Sequence, residues 1–278
     1  MPSEPPHPSF AHGRVALPTC RTTPHDNGPE RFLTIALSVQ ASEHPQRFLW
    51  AQANGFALEY TPDPLSSALI SRQVTPFAQE GVPVRFHCRF FDHELGNADP
   101  AKAEEAFRVH SRVIKAIAGL GEPVITVHLN LVPRTPFDPQ RGVENLTRLV
   151  EQARRLGITV CLENLRRGPT SDPSNVLAWA EASGAMVTMD VGHAVSSELV
   201  QSGGLTVPDI VDLFGDRLYE VHMYAREEDR HHPIDEMTEL GPVVDRLLTT
   251  ACTWWTIEID NHLEALRTRK SVITYLGQ

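Results

Sequence analysis

The chain is poor in cysteine: 278 residues contain four, Cys20, Cys88, Cys161 and Cys252, scattered without a CxxC pair. That spacing supplies no disulfide framework, and reduced thiols in a cytoplasmic protein are the expectation. No apolar run approaches the roughly 18 residues needed to span a membrane. The N-terminal MPSEPPHPSFAHGR lacks the apolar core of a signal peptide. Positive charge is also short. A formal net charge of −10 disfavours a broad basic nucleic-acid surface and gives no long-range steering toward duplex DNA, leaving only a local basic patch for such a partner. No GxGxxG or Walker-type loop follows any apolar segment, so a nucleotide-binding open sheet lacks its usual support.

What is present is an alternation. Eight short segments rich in Val, Ile, Thr and aromatics read as strands: FLTIALS (32–38), FALEYT (56–61), VPVRFHC (82–88), PVITVHL (123–129), ITVCLE (158–163), AMVTMDV (185–191), RLYEVHM (217–223) and TWWTIEI (253–259). Amphipathic stretches fill the gaps. Phe107, His110, Val113, Ile114 and Ile117 recur at helical spacing before the fourth strand, and Leu146, Leu149, Val150, Ala153 and Leu156 before the fifth, with Gly157 as a stop. DPSNVLAWAEASG opens on capping residues and closes on glycine. Eight strand–helix repeats predict a parallel (β/α)8 barrel, which commonly occupies about 200–250 residues as one domain. The Pro-rich residues 1–30 are expected to form a loosely packed leader and residues 31–278 a single TIM-barrel catalytic domain.

Barrel chemistry sits at the C-terminal ends of the strands. Those ends read His87, His128, Glu163, Asp190, His222 and Glu258 for strands three to eight, although Asp, Glu and His make up only about one residue in six. A lone buried histidine is ordinarily a hydrogen-bonded core residue, and a strand-end carboxylate often caps the next helix. Six converging on one axis are different, because packed carboxylates and imidazoles repel or lose hydration unless a cation compensates them. Mixed nitrogen and oxygen donors suit zinc, manganese, iron or cobalt. His193 follows Asp190 by three residues where the chain turns off the strand, and Asn164, directly after Glu163, is placed as an outer-sphere or substrate hydrogen-bond partner. The charge run REEDRHHP (226–233) would ordinarily solvate a loop, yet it begins four residues after His222 and offers Asp229, His231 and His232.

VHLN, CLEN, MDVGHA, EVHMY…DRHHP and TIEID together resemble the xylose isomerase-like barrel superfamily, also called the AP endonuclease family 2 barrels, over nearly all of residues 32–278. In its sugar isomerases and epimerases the resemblance implies one divalent metal, manganese or cobalt for instance, held by Glu163, Asp190, His222 and Glu258, with Glu163 and Glu258 also moving a proton. In its endonuclease IV branch it implies three zinc ions. The first would take His87, His128 and Glu163; the second Glu163, Asp190, His222 and Glu258; the third His193, Asp229 and His231, with His232 as the alternative to His231. A single-metal proton transfer does not need the imidazoles of strands three and four. The leading expectation is therefore a multinuclear zinc phosphoester hydrolase with Glu163 and Glu258 as catalytic residues, and the alternative is a sugar or sugar-phosphate isomerase or epimerase. Arg134, Arg166, Arg167, Arg226 and Arg230 follow strand ends, and Arg134, Arg166 and Arg230 with Asn164 are the expected contacts to a small phosphorylated substrate. The sequence leaves the oligomeric state open, a homo-oligomer included.

Overall fold

The computed structural model describes residues 13–17 and 31–277. A short strand β1 (Arg14–Ala16) pairs antiparallel with β2 (Phe32–Gln40). Then follow β3 (Ala57–Thr61), β4 (Val84–Cys88), β5 (Val124–Val127), β6 (Thr159–Glu163), β7 (Met186–Asp190), β8 (Leu218–Met223), the two-residue strands β9 (Arg226–Glu227) and β10 (His231–His232), and β11 (Trp254–Ile257). Among the described residues, eight of these strands run parallel in the order β2-β11-β8-β7-β6-β5-β4-β3, and β3 returns to pair with β2. The sheet is a closed barrel, and its eight strands are the eight read from the sequence.

The helices are α1 (Gln46–Ala53), α2 (Leu69–Gln79), α3 (Pro100–Ile117), α4 (Pro139–Arg155), α5 (Pro173–Ser183), α6 (Val191–Ser196), α7 (Glu198–Gln201), α8 (Val207–Phe214), α9 (Gly241–Leu248) and α10 (His262–Tyr275). Three of them start on an Asp-Pro pair. Asp99, Asp138 and Asp172 accept from the first-turn amides of α3, α4 and α5, while the proline takes the position where a missing N–H costs nothing. Gly184 closes α5 at φ 77°, a left-handed conformation that suits glycine. Where the sequence left room for one helix after β7, three short ones occur, because Asp190, Ser197 and Thr206 each cap a new start.

The main apolar core lies between strands and helices, as with Phe86, Ile125, Leu162, Val187 and Val221 against Val113, Leu146, Val176 and Val211. Inside the barrel the alternate residues are largely polar. Thr126 and Thr188 meet hydroxyl to hydroxyl at 2.7 Å, and Glu220 is held by Arg85 at 3.3 Å and by the Thr256 hydroxyl at 3.2 Å. Arg85 also lies over the Trp254 ring at 4.4 Å. A barrel whose interior is polar in this way gives up hydrophobic filling for a column of chemistry along its axis.

β1 lies inside the stretch expected to be a leader. Val15 is fully buried and Ile35 donates its N–H to Gly13 O at 2.8 Å, so that reading does not extend to residues 14–16. Residues 1–12 and 18–30, the rest of the expected leader, lie outside the described residues, as does Cys20. Cys88, Cys161 and Cys252 are buried and free. No helix of the described residues is long and apolar enough to cross a membrane.

Candidate metal centre

The parallel register brings the strand ends to one mouth. β6 and β7 pair with Glu163 opposite Thr188, and β7 and β8 with Asp190 opposite His222. His87, Glu163, Asp190, His222 and Glu258 are each at most 4 % exposed, and His128 5 %. His87 Nε2 is 2.8 Å from His128 Nε2 and 3.1 Å from Glu163 Oε2, and His128 Nε2 is 3.5 Å from the same oxygen. His222 Nδ1 lies 3.3 Å from Glu163 Oε2 and 3.7 Å from Glu258 Oε1. Donor atoms of His87, His128 and Glu163 form one compact group, and those of Glu163, Asp190 and His222 a second, with Glu163 common to both. The first has the members of the first set implied by the sequence resemblance and the second has three of the four expected there, while Glu258 falls in a further group with Glu59, His87 and His222.

Burial alone would push the Glu163 carboxyl up, but His222, His128 and His87 drive it well below the usual carboxylate range. Glu258 follows the same pattern, with His222 and His87 outweighing burial. Asp190 goes the other way: burial, then the charges of Glu163 and Glu258, raise it well above an ordinary aspartate. Burial takes the His128 imidazole down to about 3. At His87 and His222 burial is outweighed by Glu59 and Glu163, which raise both imidazoles well above an ordinary histidine. Among the site's atoms, His87 Nδ1, His128 Nδ1, Glu163 Oε2, Asp190 Oδ2, His222 Nδ1 and Glu258 Oε1 are buried without a hydrogen-bond partner. Buried polar atoms are ordinarily paired, and a buried cluster of carboxylates and imidazoles with unpaired donor atoms is the kind of set that a divalent cation compensates. The residues present fit such a group.

The third group departs from expectation. His193, Glu227 and His231 come together, with Glu227 in the place expected for Asp229. The reason is the register of the β9–β10 hairpin, which sets His231 opposite Glu227 and His232 opposite Arg226. Residues 228–230 form the turn, with Glu228 N–H donating to Arg230 O at 3.1 Å. Asp229 therefore sits at the tip with its side chain 88 % exposed, and His232 faces Glu228 at 3.2 Å, away from the mouth. His193 Nε2 is 3.6 Å from Glu227 Oε2, and His193 Nδ1 is 3.3 Å from Asp190 Oδ2. His231 lies flat on the Tyr224 ring, centroids 3.9 Å apart, with Nδ1 2.8 Å from Glu258 O. Replacing Glu227 by Ala is expected to weaken divalent-metal binding at this position at least about tenfold, whereas Asp229→Ala leaves this position unchanged. Competition titration against a chromophoric chelator measures both.

Three of the expected substrate contacts are otherwise engaged and one is outside the mouth. Asn164 commits its amide to Asp190, accepting from N–H at 2.8 Å and donating to the carbonyl at 3.0 Å. Arg166 donates to the carbonyls of Glu227 at 2.6 Å and Glu228 at 2.8 Å, tying the hairpin to the loop after β6. Arg230 pairs with Glu264 on α10 at 2.5 Å. Arg134 lines a separate surface hollow with Asp92 and Asp99. The mouth itself is a pocket of about 320 Å³ over the cluster, rimmed by Arg89, Phe91, Leu131, Arg166 and Arg167. The guanidinium groups of Arg89 and Arg167 make no hydrogen bond or ion pair with another described side chain. Glu94 shapes this rim: its carboxylate accepts from the N–H groups of Leu131 at 2.7 Å and Val132 at 2.6 Å.

A closed (β/α)8 barrel with clustered imidazoles and carboxylates at its C-terminal mouth defines a class of metal-dependent barrels. The chain belongs to the xylose isomerase-like TIM barrel family, whose model matches residues 50–274. It is 30% identical to the uncharacterized protein MJ0008 of Methanocaldococcus jannaschii over 174 residues, covering 62% of this chain and 74% of that protein. The fold is similar to that of the 3-keto-D-glucoside 4-epimerase YcjR from E. coli, with TM-score 0.68 and 16% identity over 88% of this chain and 99% of the other. It is similar also to that of endonuclease IV from Thermus thermophilus, with TM-score 0.61 and 17% identity over 87% and 98%. Members of the family are enzymes, among them epimerases and endonuclease IV.

Proposed function

We propose that the protein is a multinuclear, zinc-dependent phosphoester hydrolase acting on a small anionic substrate. The observation that carries this reading is the pairing of His87 and His128 on Glu163, a ligand group additional to that of Glu163, Asp190 and His222. A single-ion enzyme has no use for it. The third group, His193, Glu227 and His231, extends the set in the same direction. Divalent ions held by these residues would supply an activated water near neutral pH and charge compensation for a phosphoryl group. The protein supplies the rest. Glu163 is common to the first two groups, Asp190 is held rigid by Asn164 and by the His193 N–H at 2.6 Å, and Arg89, in the field of Glu258 and Glu163, and Arg167 line the pocket where anionic oxygens would sit. A pocket of about 320 Å³ suits a metabolite-sized ligand and not a duplex.

The second reading is a sugar or sugar-phosphate epimerase using one ion on Glu163, Asp190, His222 and Glu258. The likeness to YcjR favours it, and so does the depth at which Glu163 and Glu258 lie in the pocket. His128→Ala separates the two. The hydrolase is expected to lose one equivalent of metal and at least about 10²-fold in turnover of phosphomonoesters or phosphodiesters. Retention of a single bound ion and of sugar epimerisation by His128→Ala would replace the hydrolase reading with the epimerase one.

A further inference from the structure

Glu59 lies mid-strand on β3, fully buried; it forms a compact donor group with His87, His222 and Glu258, but neither ligand set of the proposed chemistry includes it. Its two oxygens meet two histidines from behind. Oε1 is hydrogen-bonded to His222 Nε2 at 2.9 Å, and Oε2 stands at an ion-pair distance of 3.5 Å from His87 Nδ1 without a hydrogen bond. The opposite ring atoms face the ligand groups: His222 Nδ1 toward Glu163 and Glu258, and His87 Nε2 toward His128 and Glu163. An imidazole that gives a lone pair to a cation carries its proton on the other nitrogen, and the acceptor of that proton fixes the tautomer and the ring's orientation. His87 Nδ1 has a second acceptor within reach, Glu258 Oε1 at 3.3 Å.

The surroundings leave Glu59 for this task. Among the described residues, no Lys or Arg lies within ion-pair distance of it. The neighbouring cation, Arg85, is directed to Glu220, whose other oxygen accepts from Thr256. Register with β2 and β4 fixes Glu59 between Ser38 and Arg85, in a sheet with no slack for the side chain to leave. One carboxylate therefore stands behind one histidine from each of the first two ligand groups.

We infer that Glu59 is a positioning residue for the metal centre, holding the N–H of His222 Nε2 by a hydrogen bond and facing His87 Nδ1 at ion-pair distance, so that His222 Nδ1 and His87 Nε2 face the ions. The inference rests on the multinuclear reading above. It makes metal affinity at the first and second positions depend on a residue that touches neither ion. A glutamine at 59 keeps the shape but can accept from one ring while presenting an amide donor to the other. Glu59→Gln is therefore expected to weaken zinc binding at both positions by about 10- to 100-fold, with little effect at the third.

The test is a zinc titration of full-length wild-type, Glu59→Gln and Glu59→Asp proteins in competition with a chromophoric chelator. Each protein is first checked for wild-type far-ultraviolet circular dichroism. Long-range proton–nitrogen NMR of the zinc-loaded proteins reads the histidine tautomers. The expected result is a loss at two positions together with exchange or broadening of the His87 or His222 N–H signal. Should Glu59→Gln fail to fold, Glu59→Asp, whose carboxylate stops short of both rings, is expected to give the same two-position loss. Undiminished affinity with unchanged tautomers in a folded variant, while wild type binds several ions, would overturn the role of Glu59 alone. A wild-type protein that binds no zinc would overturn the metal centre itself and this inference with it.

Discussion

Glu163→Gln is expected to reduce turnover at least about 10³-fold and to lower zinc content by more than one ion per chain. Both effects come from one atom. Glu163 Oε2 lies 3.1 Å from His87 Nε2, 3.5 Å from His128 Nε2 and 3.3 Å from His222 Nδ1, so it is the point at which two ligand groups touch. Glutamine has the same shape but offers a neutral carbonyl and an amide donor, which repels a cation's ligand position instead of filling it. Losing charge compensation worth several kcal/mol in the transition state corresponds to about three powers of ten in rate. The fold is expected to persist, since Glu59 and Glu258 remain against His87 and His222. Activity assays with elemental analysis and circular dichroism check the three parts. A fully active variant would remove Glu163 from the account.

Gly192→Ala is the second large effect, and it acts through packing. A Cβ at this position would stand 2.0 Å from Tyr224 Cε2 and 2.3 Å from Cδ2, an overlap that no rotamer of alanine relieves. Tyr224 is fully buried and carries His231 stacked on its ring, while Gly192 precedes His193 in the first turn of α6, which Asp190 caps. Either the ring moves and takes His231 out of the third group, or α6 moves and takes His193. Overpacking of this kind costs about 1–3 kcal/mol of stability, and zinc binding at the third position is expected to fall at least about tenfold. A thermal melt and a zinc titration read the two consequences. Wild-type values in both would show that Gly192 is spacing of no importance.

The barrel was legible because each strand is a short β-branched run closed by a turn, and because amphipathic spacing and the Asp172-Pro173 start mark helices between them. His87, His128, Glu163, Asp190, His222 and Glu258 could be picked out for a related reason: a titratable residue ending an apolar strand falls at the mouth whatever the details of packing. What escaped was whatever depends on partners in space. Glu59 sits inside FALEYT, not at its end, and its signal was the burial of a charge in an otherwise apolar strand, which requires a compensating partner. Glu227 was hidden because the spacing in EEDRHH does not say where the hairpin turns; the cross-strand pairing of Glu227 with His231 does. The rim arginines divide on the same ground. Arg166 and Arg230 are occupied by carbonyls and by Glu264, and Arg89 is not, a distinction that charge in the sequence cannot make.

The most direct test of the account is the metal content of the chain, measured by elemental mass spectrometry on protein purified without chelators or a metal-binding tag. The account predicts two to three zinc ions per chain, falling by one in His128→Ala. A single ion that is insensitive to His128→Ala, or no ion at all, would contradict the multinuclear centre on which the proposed hydrolysis depends.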